Sequence, residues 1–96
     1  MAVAIHPVTM PKWGIEMVQG TLNQWSVAQG ARVDKGDPLL EVETDKIVNT
    51  VESPAAGCVR RIVAEAGETL PVGALIAILA EDSVSDAEIN SFIANF

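Results

Sequence analysis

Gly20-Thr21-Leu22-Asn23-Gln24-Trp25-Ser26-Val27-Ala28-Gln29-Gly30-Ala31-Arg32-Val33-Asp34-Lys35-Gly36 is answered, at an offset of 37 positions, by Gly57-Cys58-Val59-Arg60-Arg61-Ile62-Val63-Ala64-Glu65-Ala66-Gly67-Glu68-Thr69-Leu70-Pro71-Val72-Gly73. All three glycines coincide. So do Leu22 with Val59, Trp25 with Ile62, Val33 with Leu70 and, just beyond, Leu39 with Ile76. Coincident glycines with matching apolar positions between them mark an internal repeat.

A repeat this short cannot close a core of its own, which predicts two similar half-sheets packed face to face about a pseudo-twofold axis. Glycine supplies positive φ at the corners, and short alternating runs supply strands. Strands are expected over 3–9, 20–27, 38–44, 47–53, 57–64 and 75–80, with two very short ones at 32–33 and 69–70. The expected fold is all-β, a flattened barrel or sandwich of two four-stranded antiparallel sheets. Residues 1–82 are assigned to one such domain, because a chain of 96 residues leaves too little apolar surface for a second core. Residues 83–96 form a C-terminal tail, either a short amphipathic helix or the start of a linker. The helical reading rests on Ser85 with Glu88 three positions on, and on Ile89, Phe92, Ile93 and Phe96 at helical spacing.

The repeat extends upstream, with Met10-Pro11 matching Ser53-Pro54, but the path from Pro11 to Gly20 is six residues longer than that from Pro54 to its repeat counterpart Gly57. Symmetry requires no such loop. Trp13, Gly14, Ile15, Glu16 and Met17 are therefore either padding or candidates for partner recognition, a role loops often carry. Trp25, on a repeat position, is expected in the core.

Between the halves, Glu41-Val42-Glu43-Thr44-Asp45-Lys46-Ile47-Val48-Asn49-Thr50-Val51 reads as a tight hairpin without glycine at its turn. Pairing Thr44 with Ile47 sets Val42 against Asn49 and Leu40 against Val51 on one side, and turns Glu41, Glu43 and Glu52 to the other. Asp45 favours a turn by bonding to nearby backbone, which places Lys46 at the tip with its stem in water. Because the turn joins the two halves, symmetry puts it opposite the termini. Lys12 and Lys35 occupy no such turn and read as solvated surface groups.

The composition excludes several functions. A formal charge of −7, with six basic residues scattered along the chain, leaves no footprint for a nucleic-acid backbone. Apolar runs fall well short of the roughly 20 residues of a membrane span, and 1–11 lacks a basic start followed by an apolar block. The lone Cys58 cannot form an internal disulfide, in keeping with a soluble protein of the cytoplasm or an equivalent reducing compartment. Cys58, at the repeat position of Thr21, reads as an inert packed thiol. His6 has no companion His, Cys or carboxylate pair, so no metal site is expected.

The run Met10-Pro11-x-x-Gly14-x-x-Met17-x-x-Gly20, followed by Gly30-x-x-Val33-x-x-Gly36-Asp37-Pro38-Leu39-x-x-Val42-Glu43-Thr44-Asp45-Lys46, resembles the lipoyl domain of acyltransferase components of 2-oxo acid and acetoin dehydrogenase complexes. The resemblance covers about residues 3–80. It implies that Lys46 carries lipoic acid in amide linkage, that Asp45 and Thr44 help the attaching enzyme recognise the turn, and that Ile47 flanks the site. It also implies a carrier and not a catalyst, whose partners are a thiamine diphosphate-dependent decarboxylase, an acyltransferase core, a flavin-containing dihydrolipoyl dehydrogenase, and a lipoate ligase or lipoyl transferase. The cofactor would supply the chemistry and the protein its placement. Glu43 and the 13–17 loop are the expected recognition surface. Lys46-Ile47-Val48-Asn49 and the helical tail favour an acetoin-type parent.

The nearest rival is a biotinyl carrier domain of a carboxylase, but that family typically places Met on both sides of its lysine, where this chain has Asp45 and Ile47. The lipoylated hydrogen carrier of glycine cleavage is longer. A catalytic acyltransferase needs an active-site histidine in a larger fold, and His6 is the single histidine here. A noncovalent β-barrel interaction module remains compatible with the architecture alone.

Overall fold

A computed structural model describes residues 5–44 and 47–96. The expectations placed on Asp45 and Lys46 themselves, and on the start of the first strand, lie outside the described residues.

Eight strands precede one helix: β1 (Ile5–Thr9), β2 (Gln19–Trp25), β3 (Arg32–Val33), β4 (Pro38–Glu43), β5 (Val48–Glu52), β6 (Gly57–Ile62), β7 (Thr69–Pro71), β8 (Leu75–Ala80) and α1 (Asp86–Ala94). They form two four-stranded antiparallel sheets, in the orders β1-β8-β6-β3 and β5-β4-β2-β7. The orders are images of each other under the repeat. Each sheet draws two strands from each half, because β3 of the first half pairs with β6 of the second and β7 of the second pairs with β2 of the first. The halves thus exchange strands, and neither forms a sheet alone, which is the physical reason one repeat could not stand by itself.

The symmetry reaches single hydrogen bonds. The Gly30 N–H donates to the Val59 carbonyl and the Gly67 N–H to the Leu22 carbonyl, both at 2.7 Å. The register breaks between Leu22 and Gln24 and between Val59 and Arg61, at equivalent positions. A bulge at Leu39 lets both Leu39 and Leu40 face inward, fully buried, against strict alternation.

The glycines divide into two kinds. Gly30, Gly36, Gly67 and Gly73 have φ between 89° and 98°, the left-handed backbone that corners require. Gly20 and Gly57 do not, so positive φ is not why they repeat. At Gly20 the cause is space: a Cβ there would lie 2.6 Å from Val42 Cγ1 and 3.1 Å from Met10 Sδ.

The main core lies between the sheets, built from Val8, Met10, Leu22, Val33, Leu39, Leu40, Val42, Val51, Val59, Ile76 and Leu79 with two alanines. Trp25 and its repeat partner Ile62 are only half-buried at the edge of this core, and the Trp25 indole N–H donates to the Ala64 carbonyl at 3.1 Å. A second cluster lies on the far side of β8, where Ile78, Ala80, Val84 and Ile89 bury one another. Helix α1 therefore packs across the outer face of one sheet. Its start is the expected capping box, the Ser85 hydroxyl accepting from the Glu88 N–H and the Glu88 carboxylate accepting from the Ser85 N–H.

β1 and β8 run away from the hairpin end of the molecule. Met10 lies beside Gly20, close to where Thr21 pairs with Glu43 near the hairpin, and its N–H bonds the Ala74 carbonyl. From there the two strands run to the Ile5–Ala80 pair, about 15 Å farther at the usual strand rise. The chain enters and leaves the sheets at the end opposite the β4–β5 connection.

Candidate functional site

The β4–β5 ladder holds the register read from sequence: Glu43 faces Val48, Val42 faces Asn49, Glu41 faces Thr50 and Leu40 faces Val51. It closes with the Thr44 N–H donating to the Ile47 carbonyl at 2.9 Å, and the Thr44 hydroxyl reaches the same oxygen at 3.3 Å. Asp45 and Lys46 are the two residues of the connection. Leu40 and Val42 are fully buried, Val51 nearly so, and Glu43 and Glu52 lie exposed on the other side. Asn49 is half-buried near the rim, and among the described residues no buried side-chain nitrogen or oxygen lacks a partner.

The inserted loop stands beside this hairpin. Its base is fixed, since Met17 packs against the main core, the Met17 N–H bonds the Gly14 carbonyl at 3.1 Å, and the Val18 carbonyl accepts from the Val72 N–H at 3.0 Å. Its crest is open, with Lys12 exposed and Ile15 92% accessible. Between loop and hairpin runs a groove of about 710 Å³. Trp13, Gly14, Glu16 and Met17 line one side, and Glu43, Thr44 and Ile47 the other.

Of the residues singled out from sequence, the groove gathers all the described ones except Ile15, which projects away. Val18, Gln19, Gly20 and Thr21 also line it, though none is a sequence candidate. They belong there because β2 begins where the insertion ends, a junction that Gly20 marks but strand boundaries from sequence blur.

The remaining reactive groups stay apart from this site. Cys58 is buried, its thiol donating to the Gly30 carbonyl at 3.4 Å, and burial pushes its pKa up, disfavouring the nucleophilic thiolate. His6 is half-buried on β1 opposite Leu79. Among the described residues no three His, Cys, Asp or Glu side chains converge as a metal site, and no helix is long and apolar enough to cross a membrane.

Residues 6–79 match the biotin/lipoyl family model, described as biotin-requiring enzyme. The chain is 52% identical over 92 residues to the dihydrolipoyllysine-residue acetyltransferase component of the acetoin cleaving system of Cupriavidus necator, and 47% identical over 92 residues to its counterpart in Pseudomonas putida. Each alignment covers 96% of this chain, which spans only 25% of either relative. Among solved structures, the lipoyl domain of the 2-oxoglutarate dehydrogenase complex from Azotobacter vinelandii superposes with a TM-score of 0.66 at 29% identity, over 83% of this chain and 98% of that domain.

Proposed function

Because the chain belongs to the biotin/lipoyl family, we propose that it is a lipoyl carrier domain, with Lys46 as the attachment residue, serving the acyltransferase component of an acetoin-type dehydrogenase complex. The observation that carries this reading is that the Asp-Lys of Glu-Thr-Asp-Lys forms the two-residue link between flanks locked by the Thr44–Ile47 hydrogen bond. The residues suit the group. Attachment needs one primary amine held at a geometry that an attaching enzyme can read, and the rigid β4–β5 ladder fixes the backbone on both sides of Lys46.

When bound, the lipoyl group supplies a disulfide that can be reduced and acylated. The protein's part is placement. Leu40, Val42 and Val51 anchor the hairpin in the core, and Glu43 and Glu52 keep its outer side solvated. β1 begins and β8 ends at the far end, so cargo on Lys46 would be clear of them as it enters one active site after another. Such tethering gives effective concentrations on the order of millimolar. Amide formation removes one positive charge, taking the chain from −7 to −8.

The partners that follow are a thiamine diphosphate-dependent decarboxylase, an acyltransferase core, dihydrolipoyl dehydrogenase and a lipoate ligase, working in the cytoplasm or a similarly reducing compartment. The 13–17 loop with Glu43 serves to select the decarboxylase, in support of which the loop is absent from the second half of the repeat and borders the groove that Glu43, Thr44 and Ile47 also line.

Intact-mass measurement after incubation with a lipoate ligase tests the assignment. The chain should gain one lipoyl group, and Lys46→Ala should gain none while unfolding at nearly the same urea concentration, since a turn position contributes few packing contacts. Lipoylation of Lys46→Ala, or modification by a biotin ligase in its place, would overturn it. Removing the six additional loop residues should slow loading by the cognate decarboxylase without preventing lipoylation; an unchanged loading rate would remove the recognition role.

A further inference from the structure

We propose that the groove between the 13–21 segment and the hairpin is a resting site for the dithiolane end of the group carried by Lys46. The inference builds on the lipoyl assignment and goes beyond it, since an arm that docks on its own domain is not simply a free tether.

Position comes first. The groove's rim includes Thr44 and Ile47, and Lys46 lies between them in the chain. A lysine extended by the lipoyl chain spans roughly 15 Å at ordinary bond lengths, enough to fold back over neighbours one or two residues away. The encounter is intramolecular, so even weak contacts give substantial occupancy.

The lining also fits the group. Trp13, Met17, Val18 and Ile47 offer apolar surface of the kind an alkyl chain and a ring disulfide bury, and sulfur packs favourably against an aromatic ring. The hydroxyls of Thr21 and Thr44 and the carboxamide of Gln19 lie along the same groove and suit an amide linkage. At about 710 Å³ the groove is within the range of small-molecule sites.

The distribution of exposed apolar residues supplies an independent reason. Of seven large hydrophobic side chains exposed among the described residues, Trp13, Val18 and Ile47 line the groove, and Ile15 and Val48 adjoin it in the chain without lining it. The strand framework does not call for Trp13 and Val18, because the second half of the repeat supplies its four strands without such an insertion. Exposed apolar groups gathered in one place mark a surface that receives something.

The test compares the 96-residue chain before and after lipoylation, with intact mass establishing that Lys46 is loaded. Nuclear Overhauser contacts should join the dithiolane protons to the Trp13 ring and the Met17 methyl, and lipoylation should shift amides throughout 13–21. Reduction of the dithiolane by dithiothreitol should be about threefold faster in Trp13→Ala and in Val18→Ser, as expected if the docked form outnumbers the free one by about two to one. Both side chains are exposed, so the variants should keep the fold, as the dispersion of the amide spectrum would show. Shifts confined to 43–48 together with equal reduction rates would overturn the resting site and leave the carrier assignment intact. A chain that stays bare at Lys46 after ligase treatment would overturn both.

Discussion

β4 and β8 are the same strand of the repeat, yet their outer faces meet opposite surroundings. On β4 that face carries Glu41 and Glu43, half-buried and exposed; at the equivalent positions of β8 stand Ile78 and Ala80, both buried under α1. Helix α1 accounts for the difference. Neighbouring positions follow suit: Arg60 donates to the Glu81 carbonyl at 2.7 Å and to Asp86 at 3.1 Å, and Arg32 pairs with Glu81 at 3.2 Å, where the other sheet has Asn23 and Thr69. One backbone plan is thus used twice, once with a face sealed by the chain's own helix and once with a face left polar beside the hairpin. A nearly symmetric scaffold thereby acquires two unlike faces.

The largest effect is expected where the sealed face is opened. Ile89 is fully buried against Ile78, Ala80 and Val84, so Ile89→Ala should cost about 2–4 kcal/mol, transfer and cavity terms together. Urea unfolding of the purified chain measures this. A loss below 1 kcal/mol would mean that α1 lies loosely on β8, and the contrast between faces would be one of composition only.

A sharper comparison comes from one repeat position read in both halves. Gly20→Ala forces a methyl to within 2.6 Å of Val42 Cγ1, an overpacking that should cost about 1–3 kcal/mol. At Gly57 the nearest atoms are the Ala80 backbone at 3.6 Å, ordinary contact, so Gly57→Ala should change stability by less than about 1 kcal/mol. Equal costs would show that these glycines repeat for a shared reason that the packing around Gly20 does not capture.

Much of this asymmetry is faintly written in the sequence, and the reason is local physics. The repeat, the strands and the β4–β5 register follow from glycine spacing and two-residue alternation, which act over a few positions. Leu75-Ile76-Ala77-Ile78-Leu79-Ala80 has no alternation, the signature of a strand buried on both sides, and the capping box at Ser85 announces a helix. Neither tells which surface the helix covers, because that depends on contacts between elements far apart in space but joined by a short turn. The strand exchange between halves is hidden for the same reason: β3 and β7 are too short to reveal their partners. At the site, the insertion identifies 13–17, whereas Val18 to Thr21 join the groove only through the way β2 emerges beside the hairpin.

The smallest expected effect concerns the exposed fastening of the sealed face. Arg32 and Glu81 are paired with more than half of each side chain in solvent, so screening leaves the bond little net influence. The hydrogen bond and charge of Arg32 hold the Glu81 carboxyl below its usual value. A depressed folded-state pKa means that the pair stabilises above the unfolded carboxylate's pKa and that this contribution disappears as pH falls through the folded value. Glu81→Gln should therefore lower the urea midpoint slightly at pH 7 in low salt, and the difference from the parent chain should vanish at pH 3 or in 1 M salt. A gap that persists at pH 3 would assign Glu81 a packing role, in which case the sealed face owes its hold to shape at that position and not to charge.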